Sequence, residues 1–517
     1  KWSDKPLGTY GIRVADRRRI GKSDFVCDLE ALNDQGYRKG DFDERLQGGV
    51  NWRYRASDSS FVGLRTKIFK NHSGSFLLWQ NYDSAYLPLN GSNTDNNNFR
   101  LSLNPFYTHL GKTGLTHRLR GRYLHVKNKV DNGDPQNDQS NQSDWLFGEY
   151  LLTKRWIKGP RLLRDLKLAA GITGSYTKTQ SPLFSGDQTA SNSALFAQLS
   201  EKISIFNVEL GFRLEQYRLN DYSEVQPIIR SGISFPLTSS TFLRASYGQG
   251  FRFPTIAESY IATSVGPVTV YPNEYLESET GSNKEVGLTQ GLKIGKSWKG
   301  LLNLAVFSME YQDMMEFTFG QWSRNPSADN NFGIGFKSIN TGETRITGQE
   351  VSIRLNQKRA NSAFSLFAGY THSNPISTNP QKSWGRDSLN AEVSFITTSS
   401  DTLNHYLKYR SKHILKTDIS YEYKNIEFGF SMRYNSRIEN IDAAFENQLM
   451  SILIPGVRQS RLDNPGDLIV DARLFYSIKK MYRIGLVVSN LLNEERYVRP
   501  ADMGPPRLVM LQFQYSR

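Results

Sequence analysis

Within "HRLRGRYLHV", Arg118, Arg120 and Arg122 recur at every second position, opposite Leu119, Gly121 and Tyr123. An extended chain therefore places three guanidiniums on one face. Such a row suits an anionic substrate, and it suits the wetted inner wall of a pore equally well. Other residues of ligand-binding type stand in long polar stretches: Trp79, Tyr82 and Tyr86 in one, Tyr271 in another, Trp322 and Arg324 in "FGQWSRNPSADNN". Aromatic rings and amides at loop tips stack on ligands or hydrogen-bond them; the same residues also serve to pack loops or to anchor a strand end in a membrane interface.

Enzyme chemistry finds no support. The single cysteine, Cys27, excludes a disulfide framework and a thiolate zinc site, and the seven histidines fall at no metal-ligand spacing. No phosphate-cradling loop or nucleophile elbow occurs, so no catalytic residue, metal or cofactor is expected. The net charge of +14 implies an anionic partner. Nucleic acid fits poorly, because the basic residues are dispersed rather than gathered in one arm or helix.

The elements that position these residues are strands. No run of 18 apolar residues exists to cross a bilayer as a helix. Instead, "VNWRYRA" sets Val50, Trp52, Tyr54 and Ala56 against Asn51, Arg53 and Arg55, and "FRLSLN" and "VELGFRLE" alternate in the same way. Alternation fits a soluble sandwich and an outer-membrane barrel alike, but the connections separate them. "ASDSS", "GKTG", "PLTS", "RANS" and "KN" are tight, whereas their alternates run to stretches such as residues 71–98 and 372–407. Short turns on one side and long loops on the other indicate an all-β, transmembrane antiparallel barrel with extracellular loops. Roughly 21 strands can be counted, beginning near residues 7, 23, 47, 61, 97, 115, 144, 164, 193, 207, 225, 241, 283, 299, 345, 362, 411, 426, 467, 482 and 507, with boundaries good to about 2–4 residues. Even numbers are the rule, so about 22 strands are expected, with a first strand upstream of Lys1 or two strands merged in the count. In a barrel, Arg118, Arg120 and Arg122 face the lumen, because an arginine at the lipid midplane costs about 2–4 kcal/mol.

One stretch, "YGQGFRFPTIAESY", ends a strand abruptly. Tyr247, Phe251 and Phe253 fit an aromatic girdle where the strand leaves the bilayer, and Pro254 blocks further ladder pairing. "GFRFPTIAESY" resembles a segment of TonB-dependent outer-membrane receptors, and "NEYLESETGSNKEVGL" resembles a second segment of theirs. Gly250, Phe251, Arg252, Pro254, Glu258, Asn273, Leu276, Glu279, Glu285 and Gly287 carry the match. Phe253, Glu274, Ser278 and Gly281 depart from it. Near the C-terminus, Asn490, Leu491, Tyr497, Pro506 and Arg507 are similar to the family's closing motif, in a form that resembles receptors of the Bacteroidota.

The resemblance implies that residues 1–517 are one outer-membrane barrel domain, preceded in the family by a plug that fills the lumen and contacts TonB. The chain opens "KWSDKPLGTY", without a start methionine or an apolar leader, and reads as a mature or trimmed product. The implied function is TonB-driven uptake of a scarce ligand, such as a metal chelate, vitamin or glycan. A structural barrel subunit of a larger envelope assembly is the alternative. The implied partners are TonB, outer-membrane lipid and lipopolysaccharide, and a surface lipoprotein or other envelope subunits.

Overall fold

The computed structural model describes residues 7–156, 165–323, 325, 333–479 and 481–516. Twenty-one of its strands form one sheet. It is a meander in which each strand pairs antiparallel with the next, from Thr9–Ile20 against Ser23–Asp34 to Tyr482–Ser489 against Leu508–Tyr515. Short turns, mostly of two to four residues, close one end, as at Gly21-Lys22, where Gly21 takes a φ of 57°. A positive φ is what such tight turns require. Among the described residues, the outer edges of Thr9–Ile20 and Leu508–Tyr515 carry no ladder partner, and an odd strand count makes these two run in the same direction.

The sheet is turned inside out relative to a soluble protein. Ile12, Leu119, Leu210 and Val306 are each more than half exposed. They lie on the outer face, where hydrocarbon is the solvent. The opposite face carries the charge. Arg118, Arg120 and Arg122 lie across from Leu151, Glu149 and Phe147. Arg120 pairs with Glu149, and the Arg122 guanidinium sits 5.3 Å over the Trp145 ring. The whole row thus lies on the face opposite Leu119.

Close packing along this inner wall depends on glycine. Gly287 lies beside Arg244, and a Cβ there would come within 2.5 Å of the guanidinium carbon. Gly485 lies opposite Phe475, whose ring would clash with any added Cβ and carries Arg483 at 4.0 Å on its face. The missing side chain makes room for a large neighbour to lie flat.

The long connections fold as well. The connections on either side of the wall hairpin Glu279–Ile294 and Trp298–Gln312 share a four-stranded sheet made of Thr263–Val265, Val268–Tyr271, Ile334–Asn340 and Met315–Gln321. Short helices span Ile256–Tyr260, Phe395–Thr398, Gln448–Leu453 and Val457–Asp463. A hydrophobic core joins Phe76, Leu78, Trp79, Ile441, Phe445, Met450, Ile454, Val457, Ala501 and Met503. This core roofs the loop end. The stretch 71–98, expected as a loop, is strand at both ends: Ser60–Phe76 and Asn93–Leu110 leave only residues 77–92 between them.

Candidate functional site at the loop-capped mouth

The mouth is organised where the strand Thr241–Arg252 ends. Arg252 donates from Nη1 to Glu258 Oε1 at 2.6 Å and from Nη2 to Glu279 Oε2 at 3.2 Å. Thr255 caps the helix Ile256–Tyr260, and Glu258 returns a carboxylate to the Thr255 backbone N–H at 2.9 Å, completing a capping box. Glu279 also accepts from the backbone N–H of Met315 at 3.1 Å. One guanidinium therefore ties together the end of one wall strand, the start of the next and the small sheet above. Burial pushes the Glu258 carboxyl up, but Arg252 and Thr255 outweigh it and hold the group below its ordinary value.

This geometry corrects the girdle expected of Phe253. Its ring is 9% exposed and stacks on Tyr217 at 4.0 Å, on the inner side of the wall. Tyr217 donates to the Pro254 carbonyl at 3.2 Å, and Phe251 meets Phe253 edge-on at 4.1 Å. Tyr247 stays on the outer face, where it lines a shallow groove with Leu210, Ile233 and Val286. Gly250 pairs with Gly281 in the ladder between their strands.

The other motif residues also hold backbone and charge in place. Glu285 accepts from Arg244 Nε at 3.1 Å, over the space that Gly287 leaves. Asn490, 4% exposed and at φ 50°, donates to the carbonyls of Glu494 and Pro505, and its own N–H meets Asp471 at 2.8 Å. Leu491 N–H bonds the Val470 carbonyl, and Arg507 donates to the Leu491 carbonyl at 3.3 Å.

The residues expected to touch a ligand are distributed unevenly. Trp79 is fully buried, donates its indole N–H to the Pro455 carbonyl at 2.9 Å, and meets Tyr82 and Tyr497 edge-on. In this arrangement it holds the roof together and offers a ligand no surface, which corrects that expectation. Burial raises the Tyr497 hydroxyl far above its ordinary pKa. Tyr82 and Tyr86 pack against the same core from its edge, half-buried, and Tyr86 meets Tyr37 at 6.0 Å. Tyr271 ends the strand that pairs in parallel with Ile334–Asn340. Trp322 donates to the Thr318 carbonyl at 3.3 Å and has Lys337 Nζ 5.5 Å over its ring. Arg324 lies outside the described residues.

A buried polar centre beneath the roof escaped sequence reasoning. Lys408 Nζ lies 2.6 Å from Asp442 Oδ1, with both side chains almost fully buried, and donates to Thr398 Oγ1 at 3.3 Å. Tyr409 donates its hydroxyl to Asp442 Oδ2 at 2.7 Å. Glu316 faces the same group from the small sheet. Burial raises its pKa, against the pull of Lys408 and Arg410. These residues come from three separate loops, and no local spacing announces them. Among the described residues no cluster of His, Cys, Asp and Glu has the makings of a metal site.

A many-stranded wall with an apolar exterior and a roofed mouth is the setting in which the family match counts. The family described as TonB dependent receptor-like, beta-barrel, matches residues 24–491. The chain belongs to the TonB-dependent receptor family. As a receptor barrel of this family it is an integral outer-membrane protein, crossing with strands. The siderophore receptor PirA of Acinetobacter baumannii superposes with a TM-score of 0.72 at 13% identity, over 99% of this chain and 78% of that one. The hemophore receptor HasR of Serratia marcescens, solved with its hemophore HasA and heme, gives 0.70 at 14% identity, over 98% and 80%. At such identities the likeness speaks for the fold. In sequence, 151 residues are 26% identical to a hemoglobin and hemoglobin-haptoglobin-binding protein of Haemophilus ducreyi, covering 29% of this chain and 14% of that protein's length.

Proposed function

We propose that this receptor barrel takes up a scarce ligand across the outer membrane, a metal chelate or haem-type iron source before vitamins or glycans, driven by TonB through a plug seated in the lumen. The observation that carries the reading is the roofed mouth. Loops with their own core close over a charged lumen, so passage must be gated. The names of relatives that bind siderophores, heme or hemoglobin narrow the class of cargo.

The lumen itself supports an occupant. A barrel of this strand number has an interior wide enough to require filling. Arg17, Arg65, Lys67, Arg100, Arg118 and Arg122 face it without a carboxylate partner among the described residues, a surface suited to an acidic face on the plug. One more strand, antiparallel to both Thr9–Ile20 and Leu508–Tyr515, fits the seam between them. The closing motif keeps the resemblance to receptors of the Bacteroidota.

The test is accumulation of labelled ferric siderophore and of haem by iron-starved cells making the whole receptor, with and without TonB. Accumulation that requires both the receptor and TonB is expected. No accumulation, together with stoichiometric copurification with other envelope proteins, would replace transport by the structural-subunit reading.

A further inference from the structure

The turn end of the inner wall carries charge that the chain does not answer. In the hairpin Glu279–Ile294 and Trp298–Gln312, Lys293 and Lys299 are direct cross-strand partners. Like charges set opposite one another weaken a sheet. Lys296 stands in the turn between them, where Gly295 takes a φ of 58°. On the next strand Asn356 opposes Lys299, Lys358 follows on the same face, and Arg359 opens the adjoining turn. All five cations are exposed, and none reaches a carboxylate or lies on a ring face among the described residues.

Two features separate this cluster from the rest of the wall. Higher up, Arg65, Arg100 and Arg122 lie over Phe106, Phe69 and Trp145, so ring faces answer part of their charge. The lysines have no such neighbour. Lipid is also out of their reach. Ile294 pairs with Trp298, whose ring meets Phe364 at 5.4 Å on the outer face, and the alternation sets Lys293, Lys299 and Lys358 on the other side of the sheet. Cations recur in the other short turns, as Lys22, Lys112, Lys424 and Lys479, against the single acid Asp58. Short turns of such a barrel face the periplasm. The complementary partner is therefore anionic at many points and spread beneath the membrane.

We propose that the turn-side rim docks on the cell-wall mesh, the amino-sugar polymer whose peptide branches end in carboxylates, with Lys293, Lys296 and Lys299 as its strongest contact. Each ammonium is a compact point charge that donates to a carboxylate from many directions. A mesh presenting carboxylates at intervals engages several turn tips at once, and weak contacts made in parallel give a firm hold. The docking rests on the outer-membrane placement of the barrel and not on its cargo, so it stands or falls separately from the uptake reading.

The test uses the whole receptor in nanodiscs of zwitterionic lipid, sedimented with purified cell-wall sacculi or with sacculi whose carboxyl groups have been amidated. Beads carrying poly-glutamate and vesicles of anionic phospholipid serve as rival surfaces. The wild type follows the untreated sacculi, less so as salt rises. Each of K293Q, K296Q and K299Q weakens binding about fivefold, and K22Q and K112Q, on other hairpins, weaken it less. Unboiled gel mobility confirms that each variant is folded. K293Q also raises the unfolding temperature, because it removes a like-charge opposition; a lower temperature marks the pair as structural and overturns the proposal. Equal sedimentation with amidated sacculi, or equal binding by the variant with all three lysines changed, overturns it as well. Tighter binding to poly-glutamate or to the vesicles overturns it in favour of an acidic protein or a lipid surface.

Discussion

The wall and the roof of this receptor obey opposite rules. In the wall, apolar side chains point out, the backbone is satisfied by the ladder, and charged groups line the interior. In the roof, Trp79, Ile454 and Val457 are buried together as in any water-soluble domain, and a lysine–aspartate pair is sealed beneath them. The difference shows two solvents acting on one chain. Below the rim the outside is hydrocarbon, so side-chain alternation is strict and no inner core is needed. Above it both sides face water, and stability has to come from loops that find one another across long stretches of sequence.

Cutting out a roof anchor tests that division most severely. Trp79→Ala should cost about 3–5 kcal/mol. The loss should be confined to the cap, read as rapid protease cleavage within residues 77–92 and 437–465, while heat-modifiable gel mobility of the barrel is unchanged. Simultaneous loss of both signals would show that roof and wall fold as one unit.

Next in size is the sealed pair. Lys408→Met leaves the Asp442 carboxylate buried beside Tyr409 without its cation, and removing one partner of a buried pair costs about 3 kcal/mol or more. The double change Lys408→Met with Asp442→Leu should recover much of the loss. Loop protease resistance measured across the cycle would show it, and two additive losses would mean the pair is not coupled.

How much of this was legible in the sequence follows the same divide. Strands expected to begin near residues 115, 241, 362, 426 and 482 begin at Leu115, Thr241, Ser362, Ile426 and Tyr482, all at tight turns. At the loop end the expected starts near 97 and 193 fall inside strands that already begin at Asn93 and Gly186. There "NTDNNN" keeps its ladder hydrogen bonds but has no apolar face to alternate, because its outer side is wet. Arg252 and Glu258 could be picked out as a motif, but not the guanidinium bridge to Glu279 that explains it. Trp79 looked like a ligand contact because its burial depends on Pro455, 376 residues away, and no local pattern carries that information.

A third prediction probes the wall. Leu210→Arg puts a guanidinium on the lipid face, where the penalty reaches about 2–4 kcal/mol at the midplane and shrinks toward the interfaces. Refolding yield into vesicles should fall, whereas Arg120→Leu on the lumen side, which removes the pair with Glu149, should leave the yield nearly unchanged. The reverse order would invert the assignment of inner and outer faces.

The smallest effect lies at the rim where the two regimes meet. Glu258 has a pKa below its ordinary value of 4.5 in the folded state, so it binds its proton less readily there than in the unfolded chain. Its contribution is complete above the unfolded pKa, declines as pH falls below about 4.5, and is gone once the pH passes the lowered folded value. Because the group is partly exposed and solvent screens it, the contribution is on the order of 1 kcal/mol. Acidification from pH 6 to pH 3 should therefore loosen the segment 253–279, read as lower protection factors, with exchange referred to the intrinsic rate at each pH, at the capping-box N–H groups of Thr255 and Glu258. Glu258→Gln keeps the size and one carbonyl acceptor but removes the charge facing Arg252, so it should exchange faster at pH 6 and lose most of the pH dependence. An unchanged pH response in Glu258→Gln would move the acid sensitivity to Glu279, the other carboxylate on the same guanidinium, and make that residue the hinge between wall and roof.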